Sequence, residues 1–322
     1  MSQLFDQITD QLTNADRTIV FPEGEDERIL TAASQLAAAN IVTPVLLGDE
    51  QAIQQKAQAA DVDVSVCRII NPRAYAAFDE MVKAFVERRK GKVTDTEARE
   101  MLLDANYFGT MLVYLNKADG LVSGAVHSTA ETVRPALQII KTKPGVNKTS
   151  GAFIMVRQNE KYVFADCAIN TSLDSQDLAE IAVESAKTGE LFGIDPRVAM
   201  LSFSTKGSAQ SEETEKVVDA LEAAKAKDPE LVIDGEFQFD AAFVPSVASK
   251  KAPDATIKGD ANVFVFPSLE AGNIGYKIAQ RLGEFDAVGP ILQGLNQPVN
   301  DLSRGCSAED VYNLALITAA QA

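Results

Sequence analysis

The chain has 322 residues, which favours two cores over one. Its 46% hydrophobic and 24% charged residues match a soluble globular protein. A net charge of −16 argues against nucleic acid or an anionic membrane as a partner, yet leaves room for small anionic ligands at local arginine clusters.

The N-terminal segment has no basic or apolar signal region, and no apolar run reaches the roughly 18 residues of a membrane span, so a soluble, cytoplasmic protein is expected. Thr18–Pro22 reads as a first strand, followed by a helix over about 26–39 and a second strand over 43–48. Helical patterning covers 73–90 and 95–116. A buried strand at 119–125 then feeds a helix from Thr129 to Lys141. Residues 141–148 break the rhythm with Pro, Gly and charge, as a domain crossing does. Strands follow near 151–157, 162–168, 198–203, 231–234 and 262–266, with helices at about 175–192, 210–227 and 271–283. A second Gly- and Pro-rich crossing at 289–298 precedes a last helix over 308–320. Continuous apolar strands alternating with helices predict an α/β protein with mainly parallel sheets flanked by helices. The expected domains are 1–145 plus 296–322, with the last helix returning, and 146–295.

Cys67, Cys167 and Cys306 have no metal or redox spacing and read as reduced thiols. Ligands of open α/β sheets bind beyond the carboxyl ends of strands, so the strand-to-helix junctions carry the chemical signals. At Ser123–Arg134, Ser128 or Thr129 can cap the helix and Glu131 can close a capping box. The same stretch also offers free N–H groups at a glycine turn, hydroxyls and Arg134, together fit for a phosphate. Asn273, at 263–277, reads either as an N-cap or as part of an anion site. The junction at 201–210 reads as a solvated loop with a cap. His127, the only histidine, is assigned a helix-entry role and no catalytic duty. Arg28 lies in an acidic first turn, and Arg88 and Arg89 lie at a helix end that suits cations. Asn300–Asp310 is the densest stretch: Ser303, Arg304 and Asp310 surround a glycine turn, a set suited to acyl transfer between anionic partners. Ser307 and Asp310 also fit the Ser-x-x-acid pattern of a helix start, a role compatible with catalysis.

Four long motifs carry a resemblance over nearly the whole chain: FPEGEDER at 21–28, SGAVHSTAETVRP at 123–135, VFPSLEAGNIGYK at 265–277 and NDLSRGCS at 300–307. Together they resemble the phosphate acetyltransferase (phosphotransacetylase) family. That resemblance implies a homodimer of two-domain α/β chains related to isocitrate and isopropylmalate dehydrogenases, with the active site in the interdomain cleft. The implied reaction is acetyl-CoA plus phosphate giving acetyl phosphate plus CoA, by direct thiolate attack in a ternary complex. By the same likeness Asp310 is the base for the CoA thiol, Ser303 donates to the oxyanion or orients the thiol, and Arg304 neutralises charge. Arg134, Arg28 and Arg89 fall on the phosphate side with Ser128, Thr129 and Asn273, Arg88 competing with Arg89 for its register. Arg281 and Arg304 meet CoA. No metal and no tightly bound cofactor is implied, CoA being a substrate. The competing readings are a phosphate butyryltransferase, a metal- and NAD-dependent decarboxylating dehydrogenase of the same fold, and a CoA- or phosphate-sensing protein without catalysis.

Overall fold

The computed structural model describes residues 2–13 and 15–322, apart from the side chains of residues 2–4 and 7. The chain forms two compact units, Ser2–Lys143 with Leu295–Ala322, and Pro144–Gly294.

In the first unit the chain runs through α1 (Ser2–Leu12), β1 (Arg17–Phe21), α2 (Glu27–Ala38), β2 (Val42–Leu47), α3 (Glu50–Ala59) and β3 (Arg68–Ile70). It continues through a short 3₁₀ turn at Pro72–Ala74, α4 (Phe78–Arg89), α5 (Asp95–Met101), α6 (Ala105–Tyr114), β4 (Gly120–Ser123) and α7 (Thr129–Ile139). The second unit holds β5 (Ser150–Arg157), β6 (Glu160–Ala165), α8 (Ser175–Leu191), β7 (Val198–Leu201), α9 (Glu212–Lys227) and β8 (Ile233–Phe237). It closes with α10 (Phe239–Phe243), α11 (Pro245–Lys251), β9 (Val263–Val265), α12 (Leu269–Leu282) and β10 (Asp286–Gln293). β11 (Val299–Asp301) and α13 (Ala308–Ala320) then return to the first unit.

The first sheet has the order β11-β4-β1-β2-β3 and every pairing is parallel. Ile19, Val20, Phe21, Leu46 and Leu121 are fully buried there, each contributing roughly 1.5–3 kcal/mol by burial. α13 packs on α1, α2 and β4. The strand order reverses beside β1, whose neighbours are β2 and β4, and this makes the carboxyl ends of β1 and β4 the switch point.

The second sheet, β10-β5-β6-β9-β7-β8, is mixed. β5 pairs antiparallel with both β6 and β10. Two residues, Gln158 and Asn159, join β5 to β6, and Gln158 takes φ 54°. A link that short permits a hairpin but no crossover helix. α8 lies against β5, β6, β7, β9 and β10, with eleven of its residues buried.

The α/β class and its mainly parallel pairing are present, with several local differences from the sequence reading. The stretch 95–116 is two helices, because Asp104 accepts from the N–H groups of Asn106 and Tyr107 and starts a new one. The helix read over 73–90 starts at Phe78, after the 3₁₀ turn. The first half of the crossing at 289–298 is strand, since β10 extends to Gln293. α1, α3, β3, β11, α10 and α11 were not read from the sequence, and all of these but α1 and α3 are seven residues or shorter.

Candidate functional site

At the carboxyl ends of β1, β4 and β11, three loops of the first unit meet. Gly124 follows β4 with φ 115°, and a Cβ there would stand 2.5 Å from Leu302 O and 2.6 Å from Asp301 Oδ1. Only glycine lets the loop after β11 approach so closely. The Leu302 N–H donates to Ser123 O at 2.7 Å.

Glu23, just past β1, is 7% exposed and fills the turn after β4. Its Oε2 accepts from the N–H groups of Gly124 (3.1 Å) and Ala125 (2.8 Å). Its Oε1 accepts from those of Val126 and His127, both at 2.8 Å. The His127 ring Nδ1 lies a further 2.8 Å from Oε1. This corrects the expectation of free N–H groups for a substrate phosphate: an internal carboxylate already occupies them. Glu23 is also the functional residue that the sequence reading missed.

Beyond this turn, Ser128 and Glu131 form a capping box, the Ser128 N–H and hydroxyl both donating to Glu131 Oε2 at 2.7 Å. Those bonds hold the Glu131 carboxyl below its usual range. Thr129 Oγ1 donates to Asp301 Oδ2 at 2.6 Å. Burial lifts the Asp301 carboxyl to about 6. Arg134 stands exposed one turn further along α7. Its charge and that of Arg89 both act on Tyr107, whose hydroxyl donates to Gln138 Oε1.

Arg88 and Arg89 separate clearly. Arg88 donates to Ile139 O at 2.6 Å and Ile140 O at 3.0 Å while its guanidinium covers the Tyr114 ring, so it caps the end of α7. Arg89 makes one long bond, 3.5 Å, to Gln138 O.

Arg28 differs from the expected phosphate ligand. Its Nε and Nη2 donate to the two Asp26 oxygens, both at 2.9 Å. Nη2 also reaches Ala125 O at 2.8 Å, and Nη1 reaches Arg304 O at 2.8 Å and Cys306 O at 3.2 Å. All five donors of the guanidinium are engaged. Arg28 is therefore a strut tying the turn after β4 to the turn that carries Arg304.

In that second turn the Ser303 hydroxyl accepts from the Gly305 N–H at 3.3 Å, and Ser303 O accepts from the Cys306 N–H at 2.9 Å. Ser303 and Arg304 are exposed, whereas Cys306 is buried and its thiol is pushed up by that burial. Asp310 Oδ2 accepts from the Ser307 N–H and hydroxyl, each at 2.8 Å, in the capping box of α13. Its Oδ1 stays outside that ring of bonds. The fold thus gathers Ser128, Thr129, Ser303, Arg304 and Asp310 at one end of one sheet. On the β2–β3 side a cavity of about 600 Å³ opens, lined among others by Pro22, Asp26, Asn71, Arg73, Val126 and His127.

Asn273 and Arg281 belong to the second unit, on α12. Ser268, not Asn273, is the N-cap of that helix. The Asn273 amide donates to Cys167 O at 3.0 Å, and its oxygen accepts from Lys277 at 2.8 Å. Arg281 is exposed in the last turn. In this unit Asp166 takes the place that Glu23 takes in the first. It accepts from the N–H groups of Gly151, Ala168, Ile169 and Asn170 and from the Asn170 amide. Glu236 likewise closes the 201–210 junction, accepting from Ser204 Oγ and the Gly207 N–H at 2.8 Å. Among the described residues no group of three or more His, Cys, Asp or Glu is arranged to hold a metal, and no helix is long and apolar enough to cross a membrane.

Residues 3–319 match the family described as phosphate acetyl/butaryl transferase. The phosphate acetyltransferase of Bacillus subtilis (strain 168) is 69% identical over 322 residues, covering 100% of both chains. Among solved structures, the EutD phosphotransacetylase from Staphylococcus aureus is 65% identical with a TM-score of 0.95, covering 99% of this chain and 98% of that one. A phosphotransacetylase from Streptococcus pyogenes is 57% identical with a TM-score of 0.98, covering 100% of this chain and 98% of that one. With a family match over nearly its whole length and relatives this similar, the chain belongs to the phosphate acetyl/butaryl transferase family of acyltransferases.

Proposed function

We propose that this chain is a phosphate acetyltransferase, interconverting acetyl-CoA plus phosphate with acetyl phosphate plus CoA. The observation that carries the reading is the joining, through Arg28, of the turn that carries Ser303 and Arg304 to the turn after β4, in a chain similar over its full length to named phosphate acetyltransferases. Asp310, held by Ser307 through one oxygen, uses the other to take the CoA thiol proton. The thiolate attacks the acetyl carbon of acetyl phosphate. Arg304 neutralises the oxyanion while Ser303 donates to it or orients the thiol, both from the exposed turn. Arg134 and Arg89 serve the phosphate, with Ser128 and Thr129 at the helix start, and Arg304 and Arg281 serve CoA. Arg28 acts through the turn it ties down, and Asn273 through its bond to Cys167 O.

On this reading the two units are the two domains of a fold shared with isocitrate and isopropylmalate dehydrogenases. The likeness supports a reaction site that draws on both domains of a cytoplasmic homodimer, with CoA as a substrate and no tightly bound cofactor. The relatives' names favour acyl transfer over hydroxy-acid oxidation or mere CoA sensing. Acyl length is the open choice within the family, and turnover of acetyl-CoA against butyryl-CoA decides it. The test of the reading is CoA-dependent thioester formation from acetyl phosphate. Asp310→Asn should cut kcat by about 10²–10⁴-fold with CoA binding nearly unchanged. Near-wild-type turnover by that variant would sink the base assignment.

A further inference from the structure

We propose that His127 is the acid–base partner of the phosphate in this reaction, an inference that rests on the functional reading above. The proton balance calls for such a group. When the thiolate displaces phosphate from the acetyl carbon, a C–S bond forms and the C–O bond to phosphorus breaks. The thiol proton goes to Asp310, and the departing oxygen must itself acquire a proton to leave as hydrogen phosphate. A trianionic phosphate is a poor leaving group, so an acid beside it lowers the barrier.

Three carboxylates and the thiol at this end of the sheet are committed elsewhere. Glu23 accepts five N–H groups, Glu131 is locked in the helix cap, Asp301 is buried against Thr129, and the Cys306 thiol is buried. His127 is arranged differently. A saturated, acceptor-only carboxylate faces its Nδ1 at 2.8 Å, so Nδ1 carries a hydrogen and the ring orientation is fixed. Its side chain is 28% exposed, its Nε2 has no protein partner among the described residues, and the residue lines the 600 Å³ cavity at the sheet's carboxyl end. A carboxylate-oriented, partly exposed imidazole beside a cavity, its far nitrogen without a protein partner among the described residues, is the arrangement of a general acid or base. It also stands immediately before the Ser128 cap of α7, two residues from the carbonyl of Ala125. Through Arg28 that carbonyl shares one guanidinium with Arg304 O. Towards thioester, Nε2–H of the imidazolium passes its proton to the departing phosphate oxygen. Towards acetyl phosphate, neutral Nε2 takes the proton from attacking hydrogen phosphate. Exchange with water returns the proton from Asp310 to His127 after each turnover.

The experiment measures kcat, KM for acetyl phosphate, and CoA affinity by calorimetry for wild type, His127→Gln and His127→Ala. The expected result is a kcat loss of about 10²–10³-fold in both variants, with CoA affinity within about threefold of wild type and activity of His127→Ala recovered by added imidazole. A kcat within about threefold of wild type in His127→Gln would overturn the proposal. So would a loss that imidazole leaves untouched in a His127→Ala protein whose CoA affinity is intact. If wild type makes no acetyl-CoA at all, the functional reading fails first. If wild type is active and His127→Gln equally so, this inference alone fails.

Discussion

The two units solve one problem in the same way and then part. In each, a buried carboxylate accepts four backbone N–H groups: Glu23 takes all four from the turn after β4, and Asp166 takes three from the turn after β6 and one from Gly151 on β5. Such clusters normally attract anions. The fifth donor is what differs. For Asp166 it is the Asn170 amide, whose nitrogen also bonds Thr149 O, so the network ends inside the protein. For Glu23 it is an imidazole that lines a cavity. The same carboxylate device is a structural lock in one unit and a bearing for a chemical group in the other.

Neutralising each lock tests that contrast with the largest expected effect. Glu23→Gln and Asp166→Asn each set an NH₂ group among backbone donors and should each cost roughly 4 kcal/mol in urea unfolding. Assayed where both are folded, Asp166→Asn should keep its kcat, whereas Glu23→Gln should lose at least tenfold. Matching kinetic losses would erase the distinction between the units. Arg304→Ala comes next, with roughly 3–4 kcal/mol of transition-state stabilisation lost in kcat/KM and little change in thermal unfolding. A purely thermal effect would reduce Arg304 to a scaffold residue.

Asp301 gives the smallest effect and the one with a pH signature. Its carboxyl rises from 3.8 to about 6 on folding, close to 3 kcal/mol at about 1.4 kcal/mol per unit. The folded state binds that proton more tightly, so this stabilisation is full below pH 3.8 and is lost as pH rises through 6. Asp301→Asn, still able to accept from Thr129, should be more stable than wild type by up to that amount above pH 6. The gap should close towards pH 4. A constant difference across the range would assign the cost to packing instead.

Local chemistry was legible in the sequence, and long-range pairing was not. The capping boxes at Ser128–Glu131 and Ser307–Asp310 span three residues, and both are formed. Arg28 was visible as a cation in an acidic turn, but its carbonyl partners at 125, 304 and 306 lie far along the chain. Glu23 reaches residues about a hundred positions away, and no local pattern marks such an acceptor. Asp166 hid for a different reason: the apolar run before it read as strand up to 168, whereas β6 stops at Ala165 and Asp166 turns the chain. The antiparallel pairing of β5 with β6, within the mainly parallel pairing expected, was not legible, because hydrophobicity cannot report the direction of a partner strand and the two-residue link can.

The return of the chain through β11 and α13 bears on how the protein is made. The first sheet lacks its β11 edge, and α2 its α13 cover, until the whole second unit has been synthesised. Ser303, Arg304 and Asp310 all travel on that late segment. A nascent chain halted between residues 124 and 298 therefore carries β1–β4 with an unpaired strand edge and no reacting turn. Competence arrives in a single late step, so interrupted synthesis leaves inert, aggregation-prone fragments rather than a half-active enzyme.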